Sequence, residues 1–261
     1  MATNFPKRLR AAALAASLHL LCSLLVSFFA AVLVFAIWYP YPYRELSGGR
    51  ELFLLVVIVD VICGPILTFV LFNPSKPKVE LWRDLLLVIF IQFGALGYGI
   101  YTVWLARPLY LVMEVDRFKV ISLPDLQDKK AQIELANLPA ALRPSVWQGP
   151  KIVGVVTATD SEEKKNILFE SIGGGRDYAA RPKFYVGYDE NYALASLERA
   201  KPISSFLLIR PEQRAAAEKL AAEIRIDIRK VQYLPVIGRQ DWIAVLDDRG
   251  GIRGFLKGDG F

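Results

Sequence analysis

The sequence predicts a membrane protein, a bundle of three transmembrane helices followed by a soluble α+β domain, and three observations carry that prediction. Hydrophobic residues fill 54% of the 261 positions, and the mean hydropathy is +0.32, high for a water-soluble chain. Charge is unevenly placed: residues 1–107 hold five acidic and nine basic residues, against 21 and 23 in residues 108–261. Within the first part, three stretches at about 11–39, 52–72 and 85–106 each supply the roughly 20 apolar residues that a helix needs to cross a bilayer. Two domains follow, a membrane domain over 1–107 and an α+β domain over 108–261.

The first stretch is far longer than the roughly 7–15 apolar residues of a secretory signal, and no small-residue cleavage pattern precedes a polar start, so it reads as an uncleaved anchor. Orientation follows from the flanking charges. Lys7, Arg8 and Arg10 precede span one, and Lys76, Lys78 and Arg83 separate spans two and three, whereas the 40–51 loop balances Arg44 and Arg50 with Glu45 and Glu51. The N-terminus is expected in the cytoplasm and residues 108–261 in the periplasm of a Gram-negative cell. Trp38, Tyr39, Tyr41 and Tyr43 are expected as an aromatic belt at the outer end of span one, with Tyr101 and Trp104 serving span three. Cys22 and Cys63 lie in apolar runs and read as buried small hydrophobes.

Span two contains Asp60, which costs about 2.5–3.5 kcal/mol at the centre of a membrane helix and must face protein or water. Gly64 and Pro65 follow within a turn and a half. Pro65 removes a backbone donor and crowds the Val61 carbonyl, so a kink is expected there. Counting about 1.5 Å per residue from the cytoplasmic end of each apolar run sets Tyr98 and Ser23 level with Asp60 and His19 and Gln92 about 8 Å nearer the cytoplasm, so Tyr98 and Ser23 are its expected partners. Two roles fit this carboxylate: an ion or proton relay or a grip on another helix, and a structural hydrogen bond joining the three helices. Gly94, Ala95, Gly97 and Gly99 in span three permit close helix approach.

From Pro108 onward the period shortens, and strands are expected near 109–115, 118–122, 151–156, 184–188, 205–209 and 242–246. Helices are expected over 161–172, capped by Asp160, and over 211–225, opening with Pro211. Hairpins are expected at Asp116-Arg117 and at 247–251, and Gly173-Gly174-Gly175 reads as a helix C-terminus rather than a phosphate loop, because it follows a helix and lacks Gly-Lys-Ser/Thr. The soluble part has no His and no Cys, which excludes a Ser-His triad, a thiol nucleophile and the usual zinc ligands. Asp116, Asp247 and Asp248 sit at turns, where Asp bonds its own backbone. The basic excess of +6 falls mostly beside the membrane spans, so neither nucleic acid nor nucleotide is an expected partner, and no cofactor or enzymatic activity is expected.

Several motifs resemble the TfpX/TfpZ-type type IV pilin accessory proteins. They are Trp38-Tyr39-Pro40, Asp60 with Gly64-Pro65-Ile66-Leu67-Thr68, Phe72-Asn73-Pro74, Gln92, Ala95-Leu96, Tyr98-Gly99, Arg107-Pro108, Asp116-Arg117-Phe118, Leu234-Pro235 and Gly238-Arg239. The resemblance implies an inner-membrane, chaperone-like accessory protein for type IV pilin stability and pilus assembly, with the major pilin and membrane lipid as partners and no catalytic residues. Asp60, Gly64, Pro65, Asn73, Gln92 and Tyr98 carry over as motif positions for helix packing or partner contact. Two other readings stay open: a small ion- or ligand-handling membrane protein built on Asp60, and a membrane-anchored periplasmic sensor.

Overall fold

The computed structural model describes residues 5–261, which divide into two compact units. The first joins the chain up to Ile37 with Gly49–Leu105, and the second joins Trp38–Gly48 with Ala106–Phe261.

The first unit contains three long helices, each long and apolar enough to cross a membrane. Helix α1 covers Phe5–Leu33 and ends in a π-helical turn, Val34–Trp38. A short helix α2 (Tyr43–Leu46) belongs to the second unit; α3 (Gly49–Leu71) then runs uninterrupted past Pro65, and α4 covers Lys78–Leu105. Asn73 turns the chain between α3 and α4: its side-chain oxygen accepts from the Ser75 amide at 3.1 Å and its carbonyl from the Lys76 amide at 3.1 Å. Leu14, Phe28, Phe29, Ile66 and Phe90 are all more than half exposed. So large an exposed apolar surface is far beyond what a water-soluble unit usually carries. Cys22 and Cys63 are exposed on these helices, contrary to the expectation of burial. Three helices enclose only a narrow inward stripe, and most of each circumference faces out.

The second unit is a mixed α/β structure. Its strands are β1 (Pro108–Met113), β2 (Phe118–Ser122), β3 (Lys151–Val155), β4 (Tyr185–Gly187), β5 (Lys201–Pro202), β6 (Gln232–Ile237), β7 (Trp242–Leu246) and β8 (Ile252–Lys257). They form one sheet in the order β4-β3-β1-β2-β6-β7-β8, with β5 paired to β6. The β1–β3 and β2–β6 pairs are parallel and the others antiparallel. Every residue of the central strand β1 is buried, as its unbroken apolar run requires. Around the sheet lie α5 (Lys129–Ala136), α6 (Ser161–Ile172), α7 (Glu190–Ser196), α8 (Ile203–Ile209) and α9 (Arg214–Glu223). Asp128, Asp160 and Asp189 each cap a helix by accepting the backbone amide three residues on, satisfying a donor that the first turn leaves free. The β1–β2 and β7–β8 hairpins form at the expected turns, and Gly173–Gly175 closes the C-terminus of α6 through Gly173 N to Phe169 O and Gly175 N to Glu170 O.

Two expectations fail in the second unit and one strand went unanticipated, each for a physical reason. Residues 205–209 are helical, because the buried positions Ile203, Phe206 and Leu207 recur at the helical spacing while Leu208 and Ile209 face out. Strand β6 escapes a pattern search because Pro235 lies inside it. The strand accommodates Pro235 where one neighbour gives way to another: β5 pairs with Gln232 and Tyr233, and β2 with Val236 and Ile237. The third difference concerns three residues of the aromatic belt at span one. Trp38, Tyr39 and Tyr43 are buried in the second unit, where the Trp38 indole donates to the Val146 carbonyl at 3.1 Å. Leu46, wholly buried, and Tyr43 share a core with Leu111, Phe118, Leu234 and Trp242, and the Leu46 carbonyl accepts from the Arg239 and Gln240 amides at 2.9 and 3.2 Å. The connection between α1 and α3 is therefore a structural part of the α/β unit.

Candidate functional site: a polar-floored cleft between apolar helices

Within the first unit α3 packs against both α1 and α4, and these two face each other across a cleft of about 420 Å³. Its walls are apolar, among them Leu18, Val26, Ile89 and Leu96, and its floor is polar, with His19, Asp60, Thr68 and Gln92. The spacing of α3 explains the floor. Asp60, Gly64 and Thr68 recur at every fourth residue and are all buried, which puts one acidic, one minimal and one hydroxyl position along a single inward stripe.

Two hydrogen-bonded pairs tie the three helices together. Gln92 of α4 donates its side-chain amide to the Asp60 carbonyl at 2.5 Å and also to the Asp60 carboxylate. His19 of α1 lies 2.6 Å from the Thr68 hydroxyl through Nδ1. Gly64 is required for the first pair, since a Cβ there would lie 2.6 Å from the Gln92 side-chain oxygen. Gly99 plays the same part higher on α4, where a Cβ would lie 2.5 Å from Val56, whereas Gly94 and Gly97 have open space beside them. Gly64 and Gly99 thus leave room for side chains of the facing helix.

The sequence-derived positions fall into three groups. Asp60, Gly64 and Gln92 meet in one cluster, and Pro65 follows directly on the same helix. Asn73 is a turn residue. Tyr98 is 74% exposed and takes no hydrogen bond to Asp60; it lines a smaller cleft of about 260 Å³ between α3 and α4. The expected Asp60 partners, Tyr98 and Ser23, are therefore corrected to Gln92. The depth count began at Leu85, but α4 begins at Lys78, because its first turns carry Lys78, Glu80, Arg83 and Asp84 and are helical without being apolar. Those added turns raise Gln92 by about 10 Å relative to the helix start and bring it level with Asp60. Thr68 was missed as a partner for His19, and the four-residue spacing from Asp60 through Gly64 was the signal that would have found it.

Chemically, the floor can hold and orient. The second Asp60 carboxylate oxygen receives no hydrogen bond from the described residues and keeps acceptor capacity at the cleft floor, whereas the Gln92 amide oxygen packs against Gly64.

Comparison with known proteins gives a consistent result. Residues 7–48 match the family described as fimbrial assembly protein FimB. Over 257 residues, 96% of each chain, the sequence is 34% identical to the fimbrial assembly protein of serogroup I of Dichelobacter nodosus, and equally to that of serogroup E1. It is 43% identical over 130 residues to the protein of serogroups C1 and C2, covering 50% of this chain and 94% of that one. No solved structure matches it. At 34% identity along nearly its whole length, the chain belongs to the fimbrial assembly protein family, consistent with its resemblance to the type IV pilin accessory proteins.

Proposed function

We propose that this protein is a non-catalytic accessory protein of the bacterial inner membrane that serves type IV pilus assembly. In this reading the three helices span the membrane with the N-terminus in the cytoplasm, the α/β unit lies in the periplasm, and the cleft between α1 and α4 receives the apolar helix of a pilin before its incorporation. The observation that carries the reading is the 34% identity, over 96% of both chains, with a protein named for fimbrial assembly. The orientation is supported by the basic residues Lys7, Arg8, Arg10, Lys76, Lys78 and Arg83 flanking the spans on one side.

A chaperone-like action follows from the physics of the cleft. Helices associate in lipid through close packing and interhelical hydrogen bonds, because burying apolar surface there brings no gain. The cleft offers apolar walls for packing and the Asp60 carboxylate as an acceptor for a donor on the incoming helix. Such a seat lowers the free energy of an unassembled subunit without any chemical step.

The test is an in-frame deletion complemented from a plasmid. Surface fimbriae are expected to fall at least tenfold while pilin synthesis continues, and complementation restores them. Normal fimbriation in the deletion strain would overturn the proposal.

A further inference from the structure

The connection from α5 to β3, residues 137–150, contains three prolines and one charged residue, Arg143. Its backbone is held at three carbonyls. Leu138 accepts from the Arg143 Nε at 2.7 Å, Leu142 from the Tyr110 hydroxyl of β1 at 2.9 Å, and Val146 from the Trp38 indole at 3.1 Å. The Ser145 hydroxyl accepts from the Trp147 amide at 3.2 Å. On this pinned backbone the Trp147 side chain is 74% exposed, and its indole has neither a ring contact nor an acceptor among the described residues. Trp38 and Trp242 of the same unit are buried. A covered Trp ring removes about 150–250 Å² from water, so a fixed ring left projecting forgoes a large favourable contribution unless something else covers it.

The place of this ring in the chain says what covers it. Trp38, whose indole holds the Val146 carbonyl, is also the last residue of the first apolar span, Pro6–Trp38. Under the reading proposed above, in which the helices cross the membrane, Trp38 marks the outer boundary of the hydrocarbon. Trp147 follows Val146 by one peptide, a Cα step of about 3.8 Å. The headgroup layer beyond the hydrocarbon is about 5–7 Å deep, so the ring is within reach of it.

From this we infer that the 137–150 connection is a lipid-binding loop, whose Trp147 ring enters the outer headgroup layer of the bilayer beside span one. The inference rests on the membrane-spanning reading. The chemistry of the loop matches that layer: an indole has an apolar body for the acyl boundary and an N–H for the headgroups, which is why Trp concentrates there. The loop has no acidic residue to meet the lipid phosphates, and its single charge is the exposed cation Arg143. Trp147 thus supplies the interfacial aromatic that Trp38, Tyr39 and Tyr43, buried in the second unit, do not. It gives that unit an attachment to the bilayer besides its covalent links to the helices.

The experiment uses the full chain in nanodiscs of phosphatidylethanolamine and phosphatidylglycerol, carrying Cys22→Ala and Cys63→Ala and a single spin label at Trp147→Cys, Phe28→Cys or Leu208→Cys. Phe28 reports on span one itself, and Leu208, 84% exposed in the second unit, controls for the affinity of any apolar label for lipid. Accessibility is measured to oxygen, which concentrates in lipid, and to a water-soluble nickel chelate. The oxygen-to-nickel ratio at position 147 is expected to be at least about fivefold above that at 208 and below that at 28, as headgroup depth requires. The native ring is read in nanodiscs of brominated lipid, where Trp147→Phe is expected to lose part of the quenching of the intrinsic fluorescence. Water-like ratios at 147 with a lipid-like ratio at 28, or equal ratios at 147 and 208, would overturn the inference alone. Water-like ratios at both 147 and 28 would overturn the membrane-spanning reading along with it. Shielding of position 147 only after pilin is added would assign the ring to a protein partner and overturn the inference as well.

Discussion

Gln92→Leu is expected to destabilise the three-helix unit by about 3 kcal/mol and to abolish surface fimbriae. The substitution removes the donor that serves both the carbonyl and the carboxylate of Asp60, leaving a 4%-exposed acidic side chain among apolar helices without its partner. Asp60→Asn keeps an acceptor for Gln92 and is expected to leave protein level and fimbriation near normal, while Asp60→Leu loses both. The double variant Asp60→Leu with Gln92→Leu removes the orphaned group along with its partner and recovers part of the stability. The coupling between the two positions, measured by denaturation in mixed micelles, is expected near 1 kcal/mol, the usual size of an interhelical hydrogen bond in a membrane protein. Additive single losses would show that the pair is uncoupled. Failure of Asp60→Asn as severe as that of Leu, with the protein still abundant, would assign the function to the charge.

Leu46→Ala should destabilise the α/β unit by about 2–5 kcal/mol, although Leu46 lies in the short connection between two apolar helices. The side chain is wholly buried beside Phe118, Leu234 and Trp242, and its truncation leaves a cavity walled by strands that cannot close on it. Thermal unfolding of the full chain, followed through the tryptophan signal, checks this. Tyr41→Ala is the control, since Tyr41 is 56% exposed in the same connection and its loss creates no interior void. Equal effects at the two positions would mean that the connection is not part of the core.

Much of the fold was legible because its strongest signals are local. Three apolar runs of membrane-spanning length can hardly be anything but helices, and Asp160, Asp116-Arg117 and Gly173–Gly175 perform in the structure the local tasks that their chemistry suits. What escaped depends on tertiary context. Trp38, Tyr39 and Tyr43 have the composition of an interfacial belt and equally of a small core, and only their burial in the second unit distinguishes the two. Pro235 argues against a strand until its neighbours are known to change partners beside it. The floor of the cleft was half legible: Asp60, Gly64 and Gln92 all stood out, but which residue met Asp60 turned on where α4 begins, and its charged first turns hide that start from a search for apolar residues.

The claim that the cleft seats a pilin helix is tested most directly by photo-crosslinking in living cells, with a photoreactive residue placed at Leu18 or Ile89 on the cleft walls and at Phe28 or Phe90 on the outward faces. The account predicts that Leu18 and Ile89 capture the pilin, that Phe28 and Phe90 capture it at least several-fold less, and that Asp60→Leu removes the capture from the cleft. Equal capture from both sets of positions, or none from the cleft in cells that assemble normal fimbriae, would contradict it.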